Sequence, residues 1–162
     1  MHQGRIEAVS PGPGQGAEVR FRIPLAAAAE GAPAARPDTP AGRARRVLVV
    51  EDHADAADML RALLEHEGHE VEVAASGPDG LAAAARFRPD VVLCDLGLPG
   101  LDGFEVAARL RRDHGADLAL VALSGYAQED DRARARAAGF DAHLTKPVAA
   151  ADLARALGAL VR

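Results

Sequence analysis

Five residues of this 162-residue chain have side chains that perform phosphoryl chemistry when gathered: Glu51, Asp52, Asp95, Ser124 and Lys146. Each stands at the end of an apolar run that could fill a buried strand. Val47–Val50 precedes the acidic pair, 91–94 precedes Asp95, 118–123 precedes Ser124, and 141–144 precedes Thr145 and Lys146. A carboxylate at the carboxyl end of a parallel strand sits where open α/β sheets place their chemistry. Three carboxylates crowded there are costly unless they share a cation, and hard oxygen donors suit Mg²⁺. Of the 19 Lys and Arg residues, Lys146 is the single lysine, a compact point charge able to reach a phosphoryl oxygen or a carboxylate. Ser124 offers a hydroxyl to another phosphoryl oxygen. Taken singly, an acidic pair after a strand is often a solvated loop, and such a serine often a helix cap. Together the five form a phosphoryl-transfer set: carboxylate nucleophile, metal ligands, ammonium and hydroxyl donor.

The elements that must position these residues alternate strictly from Arg46 onward. Strands are predicted at 47–50, 70–74, 91–95, 118–123 and 141–144. Helices are predicted at 55–67, 76–87, 103–112, 128–138 and 148–161. In the first helix Ala56, Leu60, Leu63 and Leu64 mark the apolar face, and Gly68 ends it. Ser76 and Asp79 have capping-box spacing, Pro89 stops the second helix, and Asp102 is placed to cap the third. In that third helix Phe104, Ala107, Leu110 and Arg111 define the two faces. The last helix is expected to bury Leu153, Leu157 and Leu160. Five strands and five helices in alternation imply a parallel sheet covered on both sides, and the fold class expected is α/β, a flavodoxin-like doubly wound sheet of order 2-1-3-4-5, in which the first and third strands are neighbours.

Ahead of this domain, 5–9 and 17–23 alternate as two strands around a Gly/Pro turn, a short β-hairpin remnant too small to fold alone. The Gly-x-Gly-x-Gly of that turn precedes a strand, so it offers no helix N-terminus to an anion. Residues 26–45 are Ala-, Pro- and Gly-rich without an apolar face, the composition of a flexible linker. Charge divides unevenly: six Arg against four acidic residues in 1–45, thirteen basic against twenty acidic residues thereafter. An acidic folded part argues against direct nucleic-acid binding. The single cysteine, Cys94, excludes an internal disulfide and suits a reducing compartment; in an apolar strand it reads as inert core. No run spans a membrane and no signal peptide opens the chain, so a cytoplasmic location is expected.

The wording of these motifs adds to the reading. VLVVED at 47–52, VVLCDLGLPGLDGFEV at 91–106, ALSGY at 122–126 and HLTKP at 143–147 make residues 46–162 resemble the receiver domain of two-component response regulators. The resemblance implies that Asp95 accepts phosphate from a phosphohistidine. It further implies that Asp52, Asp95 and the backbone carbonyl of Gly97 hold Mg²⁺ directly, with Glu51 acting through water. Lys146 would pair with the phosphoryl group, Ser124 would move toward it on activation, and the Lys146-Pro147 bond would be cis. His143 stands where receivers often carry Tyr or Phe as a rotating switch. It reads either as that switch or as a half-buried cap of its strand. Tyr126 is expected to shield the acyl phosphate and lengthen its life.

Residues 1–25 resemble the last two strands of the ATP-binding domain of sensor histidine kinases, without its nucleotide-binding boxes. The expected context is therefore the C-terminal receiver of a hybrid sensor histidine kinase, with no output domain following. A stand-alone single-domain regulator and a degenerate receiver acting only as an interaction module are the alternatives. The expected partner is a histidine kinase or histidine phosphotransfer protein, with small-molecule phosphodonors possible and neither nucleic acid nor membrane contacted. The chain alone is not expected to be an enzyme beyond self-catalysed phosphotransfer and dephosphorylation. Dehalogenase-type phosphotransfer needs a second Asp two residues after the first, where Gly97 stands. None of the six histidines has the context of a kinase phosphoacceptor, and His66 with His69 lacks further metal ligands.

Overall fold

A computed structural model describes residues 5–9, 12, 16, 18–22, 44–125 and 129–160. Most of the predicted linker, together with Gln128, Tyr126 and Val161, lies outside these described residues. The chain divides into two units, Met1–Ala41 and Gly42–Arg162.

The first unit contains β1 (Arg5–Val9) and β2 (Glu18–Arg22), paired antiparallel with Glu7 opposite Arg20 and Ala8 opposite Val19. Val9 and Val19 are each half exposed at 52%.

The second unit runs β3 (Arg46–Val50), α1 (Ala54–His66), β4 (Glu70–Ala74), α2 (Gly77–Phe87), β5 (Val91–Asp95), α3 (Gly103–His114), β6 (Ala119–Ser124), α4 (Glu129–Ala138), β7 (Ala142–Thr145) and α5 (Ala150–Ala159). The five strands form one parallel sheet in the order β4-β3-β5-β6-β7, the expected flavodoxin-like order.

Strand alternation divides the core into two layers. Leu48, Val50, Val92, Cys94, Leu120 and Ala122 pack with residues of α2, α3 and α4, among them Ala83, Ala84, Val106, Leu110 and Ala135. Val47, Val49, Val91, Leu93, Val121 and Leu123 face the other way, onto Leu60 and Leu64 of α1 and Leu153 and Leu157 of α5. Each such leucine contributes about 2 kcal/mol by leaving water. With almost no aromatic bulk in this core, helices must come close. A Cβ on Gly80 of α2 would lie 2.8 Å from Val50 Cγ2.

Several boundaries differ from expectation. The buried alanine of α1 is Ala57 and not Ala56, because the buried stripe runs at i, i+3 and i+7 through Ala57, Leu60 and Leu64; the helix also starts one residue early, at Ala54. Helix α3 runs two residues past Arg112, to His114. Helix α5 begins at Ala150 and not Val148, and Leu160 is its C-cap, only partly buried.

Arg111 does more than mark a helix face. Its guanidinium donates to the carbonyls of Gly115 (2.7 Å), Leu118 (2.7 Å) and Gly139 (2.7 Å), and to Asp141 Oδ2 (2.8 Å). The same Asp141 oxygen accepts from Leu120 N. The planar fork thus ties the end of α3 to the chain entering β6 and β7, at the rim opposite the carboxyl ends of the strands.

Candidate functional site

At the carboxyl rim, the parallel register places Val50 beside Cys94, Asp95 beside Leu123, and Ser124 beside Thr145. The residues that follow these positions therefore meet on one edge. Glu51 is 1% exposed and Asp95 7%, and Lys146 reaches both: its Nζ lies 2.5 Å from Glu51 Oε2 and 2.9 Å from Asp95 Oδ2. Burial alone would lower the lysine pKa. The hydrogen-bonded pairs with Glu51 and Asp95 outweigh that and hold it above the ordinary 10.5. Lys146 is also held through its backbone, its N–H donating to the Ser124 carbonyl at 2.7 Å. The Lys146-Pro147 bond is cis.

Three residues keep Asp95 presented. Gly97 N–H donates to Asp95 Oδ1 at 3.2 Å, and a Cβ on Gly97 would lie 3.7–3.8 Å from the two carboxylate oxygens. Glycine there leaves the space before the carboxylate open. Asp102 caps α3 as predicted, accepting from Glu105 N at 2.8 Å. Gly103, the first residue of that helix, sits hard against the end of β5, where a Cβ would fall 2.2 Å from the Asp95 carbonyl oxygen.

Asp52 points to a different neighbour. Its Oδ1 is 3.1 Å from His53 Nδ1, which also lies 3.6 Å from Glu51 Oε1. Glu51, Asp52 and His53 offer ligand atoms that all fall within 4.8 Å of one another. His53 belongs to none of the sequence motifs, and its one signal is its place directly after the acidic pair. Against the three carboxylates of Glu51, Asp52 and Asp95 stands one lysine. That surplus of negative charge, two of its bearers buried, together with the hard oxygen donor set and the open space before Asp95, fits a divalent cation.

Ser124, 6% exposed, makes its hydroxyl contact with His143: Oγ and Nε2 are 2.8 Å apart. The structure thus joins Glu51, Asp95 and Lys146 directly, and sets Ser124 and His143 as a second pair beside them. Tyr126 lies outside the described residues. Cys94 is buried; burial first, then the Asp95 and Glu51 charges, pushes its thiol pKa far above the usual range, which leaves it inert. His69 is not poised as a metal ligand with His66, because its Nδ1 accepts from Arg45 N–H at 3.3 Å.

The family model for the response regulator receiver domain matches residues 47–158, which span every residue of this rim. The chain belongs to the response regulator receiver family. Among curated proteins, this receiver is 35% identical over 117 residues to Protein PilH of Pseudomonas aeruginosa, covering 72% of this chain and 97% of that protein. It is 36% identical over 118 residues to the DNA-binding dual master transcriptional regulator RpaA of Synechocystis, covering 72% of this chain but only 49% of that one. An uncharacterised 14.6 kDa protein of Leptolyngbya boryana is 41% identical over 110 residues, which cover 67% of this chain and 84% of that one. Among solved structures, a CheY-like receiver domain protein from Methanospirillum hungatei superposes with a TM-score of 0.67 at 30% identity, over 72% of this chain and 92% of that one. Chemotaxis protein CheY4 of Vibrio cholerae gives 0.69 at 28% identity, over 73% and 99%. Among the described residues, no helix is long and apolar enough to cross a membrane.

The receiver's His143 carries a pH prediction. Burial first, then Arg132, lowers its pKa below 6.5, with Asp131 opposing. The unfolded chain, where the imidazole keeps its ordinary pKa, binds the extra proton first as pH falls. Stability is therefore full above pH 6.5 and declines as pH drops toward the folded value. Denaturant midpoints measured at pH 8 and pH 5 should show this decline, and His143→Phe should shrink it. A residue of the decline will persist, because burial lowers the pKa of His69 in the same direction.

Proposed function

We propose that this receiver accepts a phosphoryl group on Asp95 from a phosphohistidine of a histidine kinase or histidine phosphotransfer protein. The observation that carries the reading is the pairing of Asp95 and buried Glu51 with the single lysine, Lys146, beside an open approach at Gly97. A carboxylate oxygen of Asp95 forms the new P–O bond while the P–N bond of the donor breaks, and the departing imidazole takes up a proton. Lys146 holds the Asp95 carboxylate in place and meets the negative charge of the incoming phosphoryl oxygens. Asp52, Asp95 and the Gly97 carbonyl would hold Mg²⁺, with Glu51 acting through water. When bound, the ion supplies charge neutralisation between those carboxylates and the phosphoryl group. Ser124, now bonded to His143, ends the strand beside that of Asp95 and would follow the phosphoryl group, which makes His143 its switch partner. The chain performs no turnover beyond its own phosphorylation and dephosphorylation.

The test is direct. Intact-mass measurement of the chain with acetyl phosphate and Mg²⁺ should show a gain of one phosphate, and Asp95→Asn should abolish it. Persistence of the gain in Asp95→Asn would remove Asp95 from the role. Absence of the gain in the parent would leave a receiver that works only as an interaction module.

Two contexts are proposed for this function. The paired strands β1 and β2, in a segment resembling the end of a kinase ATP-binding domain, favour a receiver at the C-terminal end of a hybrid sensor kinase. The near-complete coverage of Protein PilH favours a stand-alone regulator in the cytoplasm. Coding sequence upstream of Met1 that specifies nucleotide-binding boxes would decide for the first.

A further inference from the structure

His53 occupies the N-cap position of α1, where Ser, Thr, Asp and Asn are favoured because their side chains accept from the first amides. The ring makes no such bond. It turns back toward the carboxyl rim, with Nδ1 3.1 Å from Asp52 Oδ1 and 3.6 Å from Glu51 Oε1. Glu51 divides its two oxygens: Oε2 goes to Lys146 at 2.5 Å, which leaves Oε1 on the side of His53 and Asp52. One nitrogen and two oxygens from three consecutive residues thus converge beside a rim that carries more negative charge than Lys146 balances.

We propose that His53 Nδ1 joins the Asp52 carboxylate as a direct donor, with Glu51 beside them acting through water, so that this receiver discriminates among divalent cations and favours a borderline transition-metal ion, with Zn²⁺ as the probe, over Mg²⁺. The inference rests on the cation-binding reading of the rim given above and adds its selectivity. Mg²⁺ takes oxygen ligands and water and gains little from an imidazole, whereas Zn²⁺ takes carboxylate and imidazole together. An oxygen-only rim already binds Zn²⁺ more tightly than Mg²⁺, so the quantity that reports on His53 is the change in the Zn²⁺-to-Mg²⁺ affinity ratio, not the ratio itself.

Isothermal titration of the full chain with Zn²⁺ alone and with Mg²⁺ alone tests this, on the parent, His53→Ala and Asp52→Asn. His53→Ala should lower the ratio about tenfold or more, almost entirely through Zn²⁺. In the parent, Zn²⁺ should shift the ring-nitrogen NMR resonances of His53. An unchanged ratio in His53→Ala would overturn the proposal. So would full retention of Zn²⁺ binding in Asp52→Asn, which would place the ion elsewhere, for example at His66. A parent that neither binds Mg²⁺ nor takes up phosphate would overturn the phosphoacceptor reading and this inference with it; intact Mg²⁺ binding and uptake with an unchanged ratio would overturn this inference alone.

Discussion

Lys146→Met should move two measurements in opposite directions. Phosphoryl uptake from acetyl phosphate should slow by about a hundredfold, the usual cost of losing one donor aimed at developing charge. Divalent-cation affinity should rise, by roughly tenfold, because the ammonium now 2.5 Å from Glu51 and 2.9 Å from Asp95 no longer offsets their charge. A titration and a rate on the same preparation check both. A fall in both would mean that the rim has lost its shape and would remove the charge argument. Stability should drop too, since Glu51 stays buried without its partner. Breaking a fully buried pair costs about 3–5 kcal/mol, and because the lysine side chain is 27% exposed, solvent screening reduces the expectation to roughly 1–2 kcal/mol. In the parent, the raised lysine pKa means that this contribution is complete below pH 10.5 and is lost only as pH rises through the still higher folded value.

Gly103→Ala should be the most damaging single methyl in the described fold. The new Cβ would meet backbone alone: Asp95 O at 2.2 Å, Leu96 Cα at 2.8 Å and Asp95 C at 2.9 Å. No flexible side chain stands there to give way, so α3 must lift from the end of β5. A loss of about 3 kcal/mol is expected, read as a fall in the denaturant midpoint. Folded protein that remains should also accept phosphate more slowly, because the displaced atoms belong to Asp95 itself. Gly158→Ala is the matched control. It lies exposed within α5 with nothing within 4 Å of the added carbon, so it should stabilise by about 0.5–1 kcal/mol through helix propensity. Equal effects at the two positions would discard the close-approach argument.

Much of the fold was legible because its signals are local. The runs at Val47–Val50 and 91–94 are apolar on both strand faces, and only a parallel sheet covered twice can use such runs. Ser76 and Asp102 announce helix starts by hydroxyl and carboxylate, and both side chains accept from the amide three residues on. The site was legible for a related reason: a strand ends where its chemistry begins, so Glu51, Asp95 and Lys146 could be placed on one rim before any distance was known. What stayed hidden depends on side-chain direction. Nothing in the order of residues says that the His53 ring turns back and leaves its helix uncapped, or that Arg111 reaches across to the carbonyls of Leu118 and Gly139. Both acts involve hinged side chains choosing among several partners, adjacent in sequence for His53 and distant for Arg111. Helix ends were missed by one or two residues for a plainer cause: alanine and arginine extend a helix as readily as they leave it.

The grip of Arg111 bears on how a signal could leave this molecule. It binds the lower border of the sheet to one helix through several hydrogen bonds from one guanidinium, while at the upper border the outer two strands meet through the Ser124–His143 contact and the backbone bond from Lys146 N–H to the Ser124 carbonyl. A body pinned at its foot, whose crown is joined through groups that also meet the phosphoryl site, shifts first at the crown. The information that phosphate has arrived should accordingly travel outward along the crown, toward β7, and leave the foot unmoved.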